Sequence, residues 1–111
     1  MKISELKSSL QLEELVVIDH EREVEGAYTG DLLSWVMTRL SANYAWITIM
    51  SNINAIAVAA LSDAACIIFT ENAEVSDDII CRAKQEGINL FRTEKSSFDI
   101  SCSLGKMLYE K

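Results

Sequence analysis

The sequence predicts a three-layer α/β/α fold on a mixed, mainly parallel five-stranded sheet. Three observations predict it. From residue 23 onward, apolar runs and amphipathic stretches alternate as β-α-β-α-β-α-β-α, the order that parallel strands joined by crossover helices require. Half of the 111 residues are apolar and 24% are charged, which supplies a core and excludes a disordered chain. There is no proline and no low-complexity linker, so residues 1–111 read as one domain.

The elements follow in order. Ile3, Leu6 and Leu10 share one face of a short helix over residues 3–10. Residues 15–18 (Leu-Val-Val-Ile) form a β-branched strand, and residues 23–29 a second, in which Gly26 marks a bulge or a close backbone approach. About four residues join these strands, too few for a parallel crossover, so they form an antiparallel hairpin or are not paired with each other. Asp31 is placed to N-cap the next helix, whose stripe is Leu32, Leu33, Val36, Met37 and Leu40. Trp35 falls roughly 130° from the centre of that stripe, at the edge of the core or against another surface. Residues 44–50 carry large apolar groups on both faces, as a central strand does. Residues 53–61 are apolar nearly all round, a helix expected to be buried on most sides. Residues 64–70 form the fourth strand. Ser76 caps the following helix, with Ile79, Ile80 and Ala83 inward and Gly87 at its end. Residues 88–91 form the fifth strand. Ser96 and Asp99 have capping-box spacing, and Phe98, Cys102, Leu104, Met107 and Leu108 make the last helix amphipathic.

Charge and cysteine content exclude several functions. Seventeen acidic residues against ten basic ones give a net charge of −7, without the basic patch of a nucleic-acid binder. No run approaches the ~18 apolar residues of a membrane span, and the first five residues do not begin a signal peptide. Three cysteines, Cys66, Cys81 and Cys102, cannot close a disulfide framework, and each reads as a reduced, buried hydrophobe in a cytoplasmic protein. The single histidine, His20, lies in a charged turn, so no Cys–His or Ser–His nucleophile is assembled. Clusters such as Glu21/Glu23/Glu25 and Glu74/Asp77/Asp78 read as solvated surface. No metal site and no cofactor are expected.

A site is expected where ligands bind open α/β sheets, at the carboxyl ends of the strands and where strand order reverses. Four junctions gather there: Thr29-Gly30-Asp31, Ser51-Asn52-Ile53-Asn54, Thr70-Glu71-Asn72 and residues 93–97. Helix N-termini favour anions, and hydroxyl and amide groups orient them. The candidate ligand-binding residues are Thr29, Gly30, Asp31, Ser51, Asn52, Asn54 and Thr70. The same residue types also serve as helix caps, and the phosphate-loop fingerprints are missing, so a tight polyphosphate site is not expected.

Three segments carry a resemblance: residues 27–37 (AYTGDLLSWVM), 45–49 (AWITI) and 54–59 (NAIAVA), continued by Glu86-Gly87-Ile88 and residues 93–98. Together they resemble the DRTGG domain, in the short stand-alone form of clostridial and related anaerobic bacteria. That family's relatives sit beside CBS domains in regulated pyrophosphatases and at the front of some phosphotransacetylases. Its fold is similar to the N-terminal domain of HPr kinase. The resemblance implies a regulatory domain without chemistry of its own that associates in pairs. Where those domains often carry Thr-Gly-Asp-Arg after the central strand, this chain has Met50-Ser51-Asn52-Ile53, and their Thr-Gly-Gly becomes Thr70-Glu71-Asn72.

The expected function is a non-catalytic regulatory or interaction domain, working as a homodimer and sensing a small anionic ligand at the sheet edge. The alternative is a nucleotide- or metabolite-binding accessory subunit of a metabolic enzyme. A hydrolase or transferase built from Ser51, Glu71 and Glu94 is disfavoured, because nothing activates the serine.

Overall fold

The computed structural model describes residues 1–110; Lys111, the last residue of the expected domain, lies outside the described residues. In chain order the elements are α1 (Ile3–Leu10), β1 (Glu13–Val16), β2 (Gly26–Thr29), α2 (Leu33–Arg39), β3 (Tyr44–Thr48), α3 (Ile53–Ser62), β4 (Cys66–Phe69), α4 (Asp77–Glu86), β5 (Asn89–Arg92) and α5 (Ser97–Tyr109). The sheet order is β1-β5-β4-β3-β2. Strands β2 to β5 are parallel, and β1 runs antiparallel to β5. The first two strands, left open between a hairpin and no pairing, lie at opposite edges of the sheet.

This order sets the layers. Helices α2, α3 and α4 join neighbouring parallel strands, and right-handed crossovers place all three on one face. There Val36, Ala55, Ile56, Ile79 and Ala83 pack on Trp46, Ile67, Phe69 and Leu90. On the other face Ile3, Leu6 and Leu10 of α1 and Ile100 and Leu104 of α5 pack on Ala45, Ile47, Cys66, Ile68 and Phe91. Successive strand residues serve opposite layers, so the central strands read as unbroken apolar runs.

Several boundaries differ from expectation. The first strand lies at Glu13–Val16 rather than 15–18, because its pairing with β5 ends at Leu90. Beyond that point the Asn89 side chain takes over, accepting from the amides of Ile18 (2.8 Å) and Asp19 (3.2 Å). The second strand begins at Gly26 rather than residue 23. Residues 23 and 24 pair with the chain start instead, through a Lys2–Glu23 bridge and Val24 N–H on the Met1 carbonyl. Gly26 is a close approach: a Cβ there would stand 2.7 Å from the Tyr44 ring. Asn52, Ser76 and Ser96 cap α3, α4 and α5 through their side chains, and Gly87 ends α4 at φ +70°.

Apolar patterning overreaches in four places. Leu32 and Met37 are exposed although they lie on the proposed stripe of α2. Helix α3 buries Ala55, Ile56, Val58 and Ala59 but leaves Ile53, Ala57 and Leu61 open, since α3 forms an outer layer and one side faces solvent. In α5 the core face is Ile100 and Leu104, with Met107 and Leu108 partly buried; Phe98 and Cys102 face outward. All three cysteines are free, but only Cys66 is buried. Its burial pushes the thiol up to about 12.

Candidate functional site

Four parallel strands must end on one edge, so the four expected junctions share a rim. Most of their polar groups are engaged within the chain. The Thr29 hydroxyl shares a 2.7 Å hydrogen bond with Ser101 of α5. The Gly30 carbonyl accepts from the Trp46 indole at 2.9 Å. Thr70 is fully buried, and its hydroxyl shares a 2.8 Å bond with Ser97.

Asp31 corrects the sequence reading most directly. It does not cap α2: the N-cap is Leu32, which makes no side-chain cap bond. Its carboxylate reaches across to the end of β3 instead, accepting from the Thr48 hydroxyl at 2.7 Å and the Ile49 amide at 3.0 Å. Thr48 is itself fully buried and accepts from the Met50 amide. Asp31 therefore ties the first junction to the second.

The switch point of this sheet lies between β4 and β5, whose following helices go to opposite faces. A crevice is expected there, and two backbone bonds bridge its walls. The amides of Glu71 and Asn72 donate to the carbonyls of Lys95 and Thr93, both at 2.9 Å. Glu71 and Asn72 both adopt left-handed backbone, φ +58° and +51°. The resemblance noted above implies glycines at these two positions. In this chain Glu71 and Asn72 take backbone that favours glycine, and their amides face the neighbouring loop.

A hollow of about 240 Å³ remains beside this crevice, lined by Asn72, Thr93, Glu94 and Lys95 of the two junctions with Gln11, Glu13 and Arg92. A larger open volume lies one strand over, between the starts of α3 and α4. A groove of about 620 Å³ is lined by Ser51, Asn52, Ile53, Ser76, Asp78, Ile79, Cys81, Arg82 and Gln85. Another hollow of about 490 Å³ shares Ser51, Ser76 and Ile79 with it and continues to Glu74, Asp77 and Arg92. Of the seven expected residues, only Ser51 and Asn52 line this space. Asn52 already accepts from the amides of Asn54 and Ala55, and Asn54 is exposed outside the groove. Sequence reasoning missed the α4 wall. Arg82 and Gln85 lie three residues apart on one helix face, a spacing visible in the sequence but not tied to any junction.

Charge in the groove is mixed. Arg82 is about half exposed, with Glu86 at 3.7 Å, and Asp78 lies on the same helix. Arg92 is committed to β1: its guanidinium grips Glu13 at 2.9 and 3.0 Å and donates to the Ala73 carbonyl. The Arg92 hydrogen bond holds the Glu13 carboxyl below its ordinary value. Among the described residues, no three His, Cys, Asp or Glu side chains are grouped to hold a metal ion. Among the same residues no helix is long and apolar enough to cross a membrane. His20 is exposed.

No sequence relative is found among curated proteins. Among solved structures the chain is similar to the CBS and DRTGG domains of the regulatory region of Clostridium perfringens pyrophosphatase, a complex with the activator diadenosine tetraphosphate. The TM-score is 0.74 at 15% identity, over 93% of this chain and 45% of the solved one. The chain thus spans under half the length of that regulatory region. The family model described as HPr Serine kinase N terminus matches residues 48–108, from the end of β3 through α5. That match takes in the NAIAVA segment and the stretch from Glu86 to Phe98, and it covers more than half of the sequence: the chain belongs to the HPr Serine kinase N terminus family.

Proposed function

We propose that this chain is a single, non-catalytic regulatory domain that works as a homodimer and takes a small anionic ligand in the groove between α3 and α4. The observation that carries the reading is the groove itself. Two helix starts, the Ser51 and Ser76 hydroxyls and the Arg82 guanidinium border one open space on the carboxyl rim, where helix N-termini favour negative charge. The other expected anion contacts, at Thr29, Gly30, Asp31 and Thr70, have their polar groups engaged inside the chain. The family membership and the likeness to a regulatory region with a nucleotide activator support the regulatory part.

Because the solved relative carries its DRTGG domain within a longer regulatory region, a second reading has support: this chain serves a separate enzyme as an accessory subunit. Titration calorimetry with AMP, ATP, diadenosine tetraphosphate and inorganic phosphate tests the ligand. The expected result is binding of at least one anion, weakened about tenfold or more by Arg82→Gln, the loss of one charge-assisted contact. No heat with any of the four removes the ligand from the proposal.

A further inference from the structure

The edge of the sheet at β2 carries apolar side chains that stay more than half exposed among the described residues. Helix α2 is the outermost of its layer, since α2 packs on α3 and α3 on α4. On the opposite face α5 lies over β2 and β3. The Ser101–Thr29 hydrogen bond fixes which side of α5 turns toward this edge. Roughly 70° further round, at 100° per residue, runs a stripe of Phe98, Cys102, Gly105 and Tyr109. On α2, Val36 and Leu40 point to the sheet, and right-handed geometry then sets Leu32 and Trp35 on the same outer side. Leu32 is 62% exposed, Trp35 53% with the Arg39 guanidinium over one face of its ring at 3.9 Å, Phe98 74% and Tyr109 77%. These four side chains present on the order of 550 Å², against the ~800 Å² each partner gives a standard interface; Cys102, Gly105 and the β2 edge add to it.

Two features identify the occupant. Gly105 lies inside α5, where glycine is among the poorest helix formers, yet among the described residues nothing outside its own helix backbone stands within 4 Å of where its Cβ would be. The fold does not need it, whereas close approach of another helix does. The α5 stripe is also symmetric, with spacings of four, three and four residues about a centre between Ser103 and Leu104. An antiparallel copy of α5 would set Phe98 against Tyr109 and Cys102 against Gly105, large on large at both ends and small on small in the middle. A two-fold axis makes that arrangement, and it is self-complementary only for a second copy of this chain.

We propose that the β2 edge, flanked by α2 and α5, is the homodimer interface, with α5 antiparallel to α5 and α2 antiparallel to α2. This rests on the dimer reading above and adds its location. The test is sedimentation equilibrium with thiol cross-linking on the full chain. The expected protein is a dimer at micromolar concentration. A short bismaleimide should link it through Cys102; Cys102→Ser abolishes the link and Cys81→Ser does not. Phe98→Glu and Gly105→Leu should each raise the dimer dissociation constant at least a hundredfold with an unchanged circular dichroism spectrum. A wild-type monomer overturns both the interface and the dimer. A dimer that survives both substitutions, or links through Cys81, overturns this interface and leaves the dimer standing.

Discussion

Replacing Asp31 with alanine separates the tie seen in the structure from the helix cap that the sequence suggests. Both donors on its carboxylate use the same oxygen, at 2.7 Å from the Thr48 hydroxyl and 3.0 Å from the Ile49 amide. Thr48 is fully buried, so its hydroxyl left without an acceptor costs ~1–3 kcal/mol. Ile49 is exposed, and its amide regains water, so that bond adds only ~0.5 kcal/mol. Asp31→Ala should therefore cost about 2–3 kcal/mol, lowering Tm by roughly 8–15 °C in a chain of this size. Asp31→Asn keeps an acceptor and should cost about 1 kcal/mol. Thr48→Val removes the donor that the alanine strands. In urea unfolding followed by circular dichroism, Asp31→Ala combined with Thr48→Val should fall short of the sum by ~1–2 kcal/mol. A cap would cost ~1 kcal/mol and add independently of Thr48. Additivity within ~0.3 kcal/mol, or a single-variant loss below ~1 kcal/mol, refutes the tie.

Three further outcomes are expected. Glu71→Gly should stabilise by about 0.5–1 kcal/mol, because left-handed backbone at φ +58° strains glutamate and not glycine; chemical denaturation measures it. Cys66 ionises near 9 when unfolded and only at about 12 in the fold. Its contribution is intact below pH 9, and stability should fall between pH 9 and 12, by at most ~1.4 kcal/mol per pH unit, with Cys66→Ala abolishing that slope. Glu13 has a lowered folded pKa through Arg92, so its support of the β1–β5 pairing is present above about pH 4.5 and lost as pH falls. Glu13→Gln should cost under ~1 kcal/mol at pH 7 and nothing at pH 2, with salt shrinking the effect.

Local chemistry was readable in the sequence, and chemistry that crosses the sheet was not. Ser76, Ser96 and Gly87 act on atoms within a few residues, and each has the role its neighbours indicate. Asn52, expected as a ligand contact, serves as the cap its residue type also allows. The alternation of apolar runs was enough for the layers and the mainly parallel sheet, because crossover helices leave few other arrangements. Asp31 stands where a cap would stand, but its donors lie 17 and 18 residues ahead. The partner of β1 could not be read either, since residues 13 and 92 meet only in the finished sheet. Phe98 and Cys102 were assigned inward because apolar side chains usually are, and hydrophobicity does not distinguish a core from a surface left for another molecule. At the rim, residue type located the neighbourhood. Which hydroxyls and amides stayed open depended on loop-to-loop bonds such as Glu71 to Lys95 and Thr70 to Ser97.

The pairing of β1 with β5 has a consequence for biosynthesis. A ribosome releases Glu13 long before Arg92, so the first helix and strand emerge with Ile3, Leu6 and Val16 bare and no sheet to dock on. Contacts this distant along the chain slow folding and lengthen the time that sticky segments stay uncovered. Nascent chains halted before residue 89 should therefore recruit holdase chaperones, and chains long enough to expose β5 and α5 outside the exit tunnel should release them.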